Sequence, residues 1–338
     1  MIKKVSSGVL IMVIILIAIF WDTVTYGFQQ AKGQLSITFN TVPVEDVLND
    51  TTVADSIKQK ITIIQEARTF AFDELGLERS ANYTTYYDQK GEVSLWNLSA
   101  SQPYALEPKV WTFPLLGSFP YKGFFDLDRA KKEMTELKKD GYDVRIRPVS
   151  GWSTLGWTND PILSNMLERP EGALAELIIH ELTHSTIFVK DQIELNENLA
   201  SFIGERGAVL FLNQKHGENS TPYFDYILAE DDSRTFRNQM LFATQMLDSL
   251  YQSLDGVNDS VKSVQKHIMI DRIMSSIDTL HFHDPRYYKI FQTGRPNNAY
   301  FMSYLRYYSA KDSLENLLTK DYANDLKLFI QGMKDYHE

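Results

Sequence analysis

Two histidines four residues apart, in the pentapeptide HELTH at residues 180–184, constrain this chain more than any other feature. On an α-helix, residues at this spacing lie about 40° apart around the axis and roughly 6 Å apart along it. His180 and His184 can therefore bind one metal ion without distorting the backbone. Glu181 lies between them and can reach a water held by that metal. The pattern predicts a helix with the arrangement that a zinc hydrolase needs.

The surrounding sequence supports both the helix and a third ligand. Pro170 suits the first turn of a helix, and apolar residues recur on one helical face (Leu174, Leu177, Ile178 and Leu182). A catalytic zinc usually has three protein ligands and one open position. Glu197, near the start of a second apolar helix, can return its carboxylate to the metal after a short reversal. The alternative is a buried helix with two hydrogen-bonded histidines and a capping glutamate.

Composition excludes several other functions. The formal net charge is −10, which argues against nucleic-acid binding because that requires concentrated positive charge. The chain has no cysteine, so a catalytic thiol, a cysteine-ligated zinc, a disulfide and a lipid-modified cysteine are all excluded. Its 338 residues could form one large or two modest domains, and 43% apolar residues suffice for a core.

The N-terminus carries an export pattern. Lys3 and Lys4 precede an uninterrupted apolar run at residues 8–21, which as a helix spans about 21 Å against a hydrocarbon core of about 30 Å. That length fits the core of a signal peptide or a short signal anchor. The lysines should stay inside, so the rest of the chain is exported. We predict residues 1–27 as the anchor or signal peptide. The catalytic domain would then be extracytoplasmic in the bacterial envelope, or secreted or periplasmic after cleavage.

Hydrophobic periodicity predicts more helix than strand in the remainder. Helices are predicted at 53–77, at 126–139, as a pair within 221–280 joined near 255–259, and as a tyrosine-rich helix after a capping loop at 295–299. Strands are predicted at 33–39 and 142–147, with a hairpin that pairs 83–87 with 93–98. We therefore expect an α+β fold that is predominantly helical.

Several short segments carry a resemblance to a known family. They include YTTY at 83–86, YKGFF at 121–125, GYDV at 141–144, STLGW at 153–157, the HELTH helix, Asn196-Glu197 and 297–299. Together they cover most of residues 30–310, and the chain resembles the bacterial family of putative zinc aminopeptidases. The segment 195–200 is also similar to the third-ligand segment of the larger glutamate-zincin aminopeptidases.

The chain departs from that family at two points. Family members often carry a lipidated cysteine, which this chain lacks, so anchoring by the apolar segment is expected instead. Members typically have alanine and tyrosine before the STLGW block, where this chain has Gly151 and Trp152. That difference bears on which substrate side chains the site would prefer and not on the hydrolytic chemistry.

The resemblance implies a zincin-like metallopeptidase domain at residues 28–338. A small β-containing N-terminal lobe would occupy 28–165, and a helical C-terminal lobe with the metal site would occupy 166–338. Ser153 and Thr154, after the predicted strand 142–147, are the expected contacts for an extended peptide substrate.

Site roles follow from the residues and from this resemblance. His180, His184 and Glu197 would bind one zinc ion, and Glu181 would act as general base. By analogy with related zincins, Tyr307 is the candidate that stabilises the oxyanion, with Tyr304 and Tyr308 as alternatives.

The expected activity is peptide-bond hydrolysis by metal-activated water, as an aminopeptidase. The residues leave open a zinc endopeptidase that acts on exported or membrane proteins, because no acidic group for the substrate's free amine can be chosen. A non-catalytic envelope binding protein with a structural metal site is a further alternative, although such a site has no use for Glu181. The expected partners are a peptide and, through the N-terminal segment, a membrane.

Overall fold

The computed structural model describes residues 18, 20–113, 117–149, 159–292 and 294–337. Most of the apolar run at 8–21, and Ser153 and Thr154, lie outside these residues, so those predictions are not addressed by the fold. The described residues are mainly helical, at 64%, with a small β-containing N-terminal region. Among the described residues, no helix combines the length and apolarity needed to cross a bilayer.

The elements are numbered along the chain. The helices are α1 (Trp21–Phe39), α2 (Val44–Asn49), α3 (Asp55–Asp73), α4 (Leu127–Lys139), α5 (Glu171–Thr186), α6 (Ile193–His216), α7 (Thr221–Ser253), α8 (Asp259–Ser276), α9 (Asn298–Tyr308), α10 (Lys311–Asp321) and α11 (Leu326–His337). The strands are β1 (Val42–Pro43), β2 (Thr85–Tyr87), β3 (Trp96–Ser101), β4 (Trp111–Phe113), β5 (Gly117–Phe119), β6 (Lys122–Phe124), β7 (Asp143–Pro148) and β8 (Ile162–Leu163).

Helix α5, which carries the HELTH sequence, is packed between α3 and α6. The three helices share one apolar core, whose members include Ile61, Ile64, Leu174, Ile178, Leu182, Leu199 and Ile203. Fully burying one such side chain contributes about 1.5–3 kcal/mol. This packing fixes α5 and leaves the side chains of His180 and His184 18% and 10% exposed, at the margin of the core.

A three-stranded antiparallel sheet, in the order β6-β3-β7, lies between α4 and α9. Because side chains alternate along a strand, Val144 and Ile146 of β7 pack with α4. Arg145 and Arg147 point to the other face, where α9 lies. Among the described residues, β7 pairs only with β3 and is an edge strand of this sheet.

Most of the elements predicted from hydrophobic periodicity are confirmed. Helices α3, α4, α7 and α8 and strand β7 lie where the periodicity places them. The capping loop is also confirmed, because the Asn297 side chain accepts a hydrogen bond from the Tyr300 amide at the start of α9.

The predicted strand at 33–39 is wrong, because these residues form the end of α1. The alternation there is short, and the helix already runs from Trp21 through Gly33. A Cβ atom at position 33 would lie 2.2 Å from the ring of Phe125. Gly33 therefore allows this close contact while the helix continues through it.

The predicted hairpin is also wrong. Strand β2 pairs with β1 and β8, whereas β3 pairs with β6 and β7. Gln89, in the turn between β2 and β3, is tied elsewhere. Its amide donates to Ser164 Oγ at 2.9 Å, and its Oε1 accepts from the Asn165 amide at 3.1 Å. These bonds hold the turn against the segment after β8, so the two runs separate into different sheets.

Candidate metal centre

Three side chains from α5 and α6 converge on one point. The Nε2 atoms of His180 and His184 lie 3.2 Å apart, and Glu197 Oε2 lies 3.5 Å from each. Ligand atoms in a tetrahedral zinc site, at 2.0–2.1 Å from the metal, are spaced by about 3.3 Å. The three donors therefore fit one face of such a site, and they form a group that could hold a metal ion.

The close approach of α5 and α6 depends on Gly204. A Cβ atom at this position would lie 3.0 Å from the carbonyl oxygen of Glu176 and 3.2 Å from Cβ of His180. Glycine lets the backbone of α6 pack directly against the turn of α5 that carries His180. The separation of the two helices, and with it the position of Glu197, follows from this contact.

Asn196 fixes the reversal that returns the chain to the metal ligands. Its Oδ1 accepts from the Val189 amide and its Nδ2 donates to the Val189 carbonyl, both at 2.8 Å. Asn196 is 3% exposed. The two bonds clamp the loop between α5 and α6 onto the first turn of α6. The sequence pattern placed Asn196 beside Glu197 but gave it no role.

Asn198 links the metal helix to α9. Its Nδ2 donates to the Arg306 carbonyl at 2.8 Å, and its Oδ1 accepts from the Ala310 amide at 2.8 Å. Buried amide side chains that satisfy both backbone groups of a neighbour hold two elements at a fixed distance. The end of α9, including Tyr307, is therefore positioned relative to Glu197.

Charges within the cluster stabilise one another. Burial raises the pKa of Glu197, but the neighbouring charge of His184 and the hydrogen bonds of both histidines lower it more, so the pKa lies well below its usual range. Burial lowers the pKa of His184, yet the Glu197 carboxylate outweighs this effect and raises it overall. Glu197 is therefore ionised, as a carboxylate ligand must be.

Glu181 lies on α5 beside a buried tyrosine. Burial raises the pKa of Tyr83 well above its usual value, and the negative charge of Glu181 raises it further. Tyr83 is fully buried, and its hydroxyl has no hydrogen-bond partner among the described residues. The sequence analysis did not single out Tyr83, although it lies in the YTTY segment.

Tyr307 lies on the Glu197 side of the cluster. Its hydroxyl accepts a hydrogen bond from Arg147 Nη2 at 3.2 Å. Burial raises the pKa of Tyr307, and so does the charge of Glu197. Burial and the same charge also raise the pKa of Tyr121. Tyr121, Arg147 and Arg306 lie around this part of the site. The sequence analysis gave none of the three a role, although Arg306 precedes Tyr307 directly and Tyr121 lies in the YKGFF segment.

The two alternatives to Tyr307 point elsewhere. The Tyr304 hydroxyl lies 3.0 Å from that of Tyr300 within a second apolar core. The ring of Tyr308 lies under the guanidinium of Arg237, at 4.6 Å. Of the three tyrosines, Tyr307 is the one whose pKa is raised by Glu197.

Comparison with known proteins gives one match. The family described as "Putative aminopeptidase" matches residues 25–338. No curated protein and no solved structure is similar enough to this chain to match. The matched range contains α1 to α11 almost completely, and with them all three donors of the candidate metal centre.

Proposed function

Because this chain belongs to the putative aminopeptidase family, we propose that it is a zinc-dependent aminopeptidase that hydrolyses peptide bonds with water. One observation carries the zinc assignment: the triangle of donor atoms, with sides of 3.2, 3.5 and 3.5 Å. Two imidazoles and one carboxylate suit zinc, whereas magnesium and calcium prefer oxygen ligands alone. The fold proposed around it is zincin-like, with residues 28–338 as one domain.

The residues of the site would divide the chemistry between them. Zinc held by His180, His184 and Glu197 would supply a Lewis acid that lowers the pKa of water and polarises the scissile carbonyl. Glu181 accepts the proton of the attacking water and passes it to the leaving amine. The Tyr307 hydroxyl, whose oxygen is bonded by Arg147, turns its own proton toward the oxyanion that forms on the substrate.

We propose that the peptide lies along β7. This strand has an edge without a partner among the described residues, and an extended peptide can add to such an edge through main-chain hydrogen bonds. Ser153 and Thr154 follow β7 in the chain and are the proposed substrate contacts.

The proposed cellular location depends on the N-terminal segment. Residues 1–27 would anchor the chain in the membrane, with the catalytic domain outside the cytoplasm. Protease added to intact spheroplasts should then digest the domain as readily as a periplasmic control. Protection equal to that of a cytosolic protein would contradict the proposal.

Metal analysis and two substitutions test the proposed activity. Purified chain should hold about one zinc ion. Glu181→Gln should lower peptide hydrolysis by roughly 10²- to 10⁴-fold with zinc content unchanged. Glu197→Ala should lower zinc content and activity together. Asp248→Ala, which removes an exposed carboxylate on α7 that accepts a hydrogen bond from Gln252 at 2.7 Å, is the control and should keep its zinc.

The results that would contradict the proposal are distinct. Absence of zinc after reconstitution would refute the metallopeptidase. Full zinc affinity in Glu197→Ala would mean that the third ligand is misassigned, and Asp191 or Glu194 would be examined next. Near-normal hydrolysis by Glu181→Gln would refute the general base. Cleavage of an N-acetylated peptide as fast as its free-amine twin would favour the endopeptidase.

A further inference from the structure

Three arginines near the candidate site have no counter-ion in the part of the chain that the structure describes. Arg145 and Arg147 lie on the same face of β7, and Arg306 lies on α9. Among the described residues, none of these guanidinium groups forms an ion pair with a carboxylate. The chain has 44 acidic residues against 34 basic ones, so acidic partners are in excess elsewhere. This cluster is therefore an exception within an acidic protein.

Two of these arginines are substantially shielded from water. Arg306 is only 8% exposed. Arg145 stacks over the ring of Tyr300 at 4.6 Å. Burial lowers the pKa of Arg145, and the positive charge of Arg147 lowers it as well, although Tyr300 acts in the opposite direction. Desolvated cations that repel one another cost free energy unless an anion compensates them.

The cluster adjoins the donor triangle. Arg147 donates to the Tyr307 hydroxyl at 3.2 Å, and the guanidinium of Arg306 lies 5.4 Å from the ring centre of Tyr121. The charge of Glu197 raises the pKa of both tyrosines. Asn198, the neighbour of Glu197, also donates to the Arg306 carbonyl at 2.8 Å, so the end of α9 that carries Arg306 and Tyr307 lies against the segment that carries the metal ligand.

Charge balance at the site points to an anionic ligand. A divalent metal would be balanced by the two carboxylates of Glu181 and Glu197, which leaves the arginines uncompensated. A guanidinium presents five N–H donors in a planar fork that matches a carboxylate. Only one contact from the Arg147 fork to another side chain, the one to Tyr307, is found among the described residues. The remaining donors of Arg147 have no partner among the described residues and can bind a ligand.

We propose that Arg147, supported by Arg306, binds the free C-terminal carboxylate of the substrate, so that the substrates are di- or tripeptides. The inference rests on the proposed peptidase function. An extended residue spans about 3.3–3.6 Å. A carboxylate held by Arg147 beside Tyr307, on the helix that Asn198 ties to the metal-ligand segment, would lie one or two residues beyond the scissile bond. Longer peptides and amidated peptides would leave the cationic cluster without its anion.

The test compares trialanine with its C-terminal amide. The intact protein should hydrolyse the free acid with a kcat/KM about 10- to 100-fold higher, mostly through KM, as expected for a charge-assisted hydrogen-bonded pair. Arg147→Gln and Arg306→Gln should each reduce this acid-to-amide ratio, and Arg147→Lys should restore part of it. Arg206→Gln, an exposed arginine paired with Glu315, is the matched control and should keep the ratio.

The outcomes separate this inference from the proposed function. Equal hydrolysis of acid and amide by the intact protein would overturn the inference and leave the peptidase standing. A ratio unchanged in both glutamine variants would also overturn it and reduce Arg147 to a residue that positions Tyr307. If no peptide is hydrolysed, the proposed activity fails. In that case, calorimetry measures the binding of trialanine and of its amide to the Glu181→Gln variant. Tighter binding of the free acid would support a carboxylate site at Arg147, and equal affinity would overturn it.

Discussion

Asn196→Ala should weaken metal binding without touching a ligand. The substitution removes two hydrogen bonds of 2.8 Å. It leaves the Val189 amide without the Asn196 oxygen, while the Val189 carbonyl keeps the bond from the Gln192 amide at 3.2 Å. At about 1–1.5 kcal/mol for each bond, the free energy of unfolding should fall by roughly 2–3 kcal/mol. The loop before Glu197 is then no longer clamped, so binding must order it. Losing a residue that orients a ligand typically costs about 10- to 100-fold in metal affinity.

The measurements are urea unfolding of the metal-free protein and competition for zinc with a chromophoric chelator. Asn213→Ala, on the same helix, is the control. Its side chain makes one bond of 3.3 Å to the Glu218 carboxylate on the surface, so stability should change by less than about 0.5 kcal/mol. Unchanged zinc affinity in Asn196→Ala, with the control also unchanged, would refute the view that the clamp places Glu197.

Three further outcomes are expected. Tyr307→Phe should lower kcat by roughly 10²- to 10³-fold with little change in KM, whereas Tyr304→Phe should not; steady-state kinetics on one peptide decide, and equal effects would contradict the assignment. Burial, with the charges of Glu205 and Glu230, raises the pKa of Glu176 to about 8, so the native state holds a proton that the unfolded chain releases. Stability should therefore fall as the pH rises from about 4.5 to 8, and Glu176→Gln should gain roughly 2–4 kcal/mol over the native protein between pH 5 and 8 in urea titrations; parallel curves would contradict this. Chelation should abolish hydrolysis and lower the melting temperature, and zinc should restore both; an unchanged melting temperature would argue against a metal coupled to folding.

Local patterns predicted much of the fold. Helical periodicity and end signals act within a few turns, so α3, α4, α7 and α8 could be located from residue order alone. The three metal donors were also predictable from a short-range pattern, because two of them share one helix face and the third follows after a short reversal. Their side chains could therefore be selected from the sequence, although their spacing required the structure.

Contacts between segments that are distant in the chain could not be predicted from the order of the residues. The partner of β3 is decided by β6 and β7, whose paired residues lie about 25 and about 45 positions further along the chain, and not by its own alternation. The hydrogen bond between Arg147 and Tyr307 joins positions 160 residues apart. Hydrophobic periodicity carries no information about such a pairing, so the sequence analysis did not identify Arg147 and Arg306 as part of the site. The strand predicted at 33–39 failed for a related reason, since the helix that contains it is supported by the distant ring of Phe125.

The metal donors and the tyrosine beside them belong to different stages of synthesis. His180, His184 and Glu197 fall within one helix-turn-helix, which closes a short loop at little entropic cost. Tyr307 is translated more than a hundred residues later, and its contact with Arg147 joins positions 160 residues apart. A nascent chain therefore completes its metal donors well before it completes the proposed reaction site. Metal binding by these three donors can therefore precede the arrival of Tyr307 at the proposed reaction site.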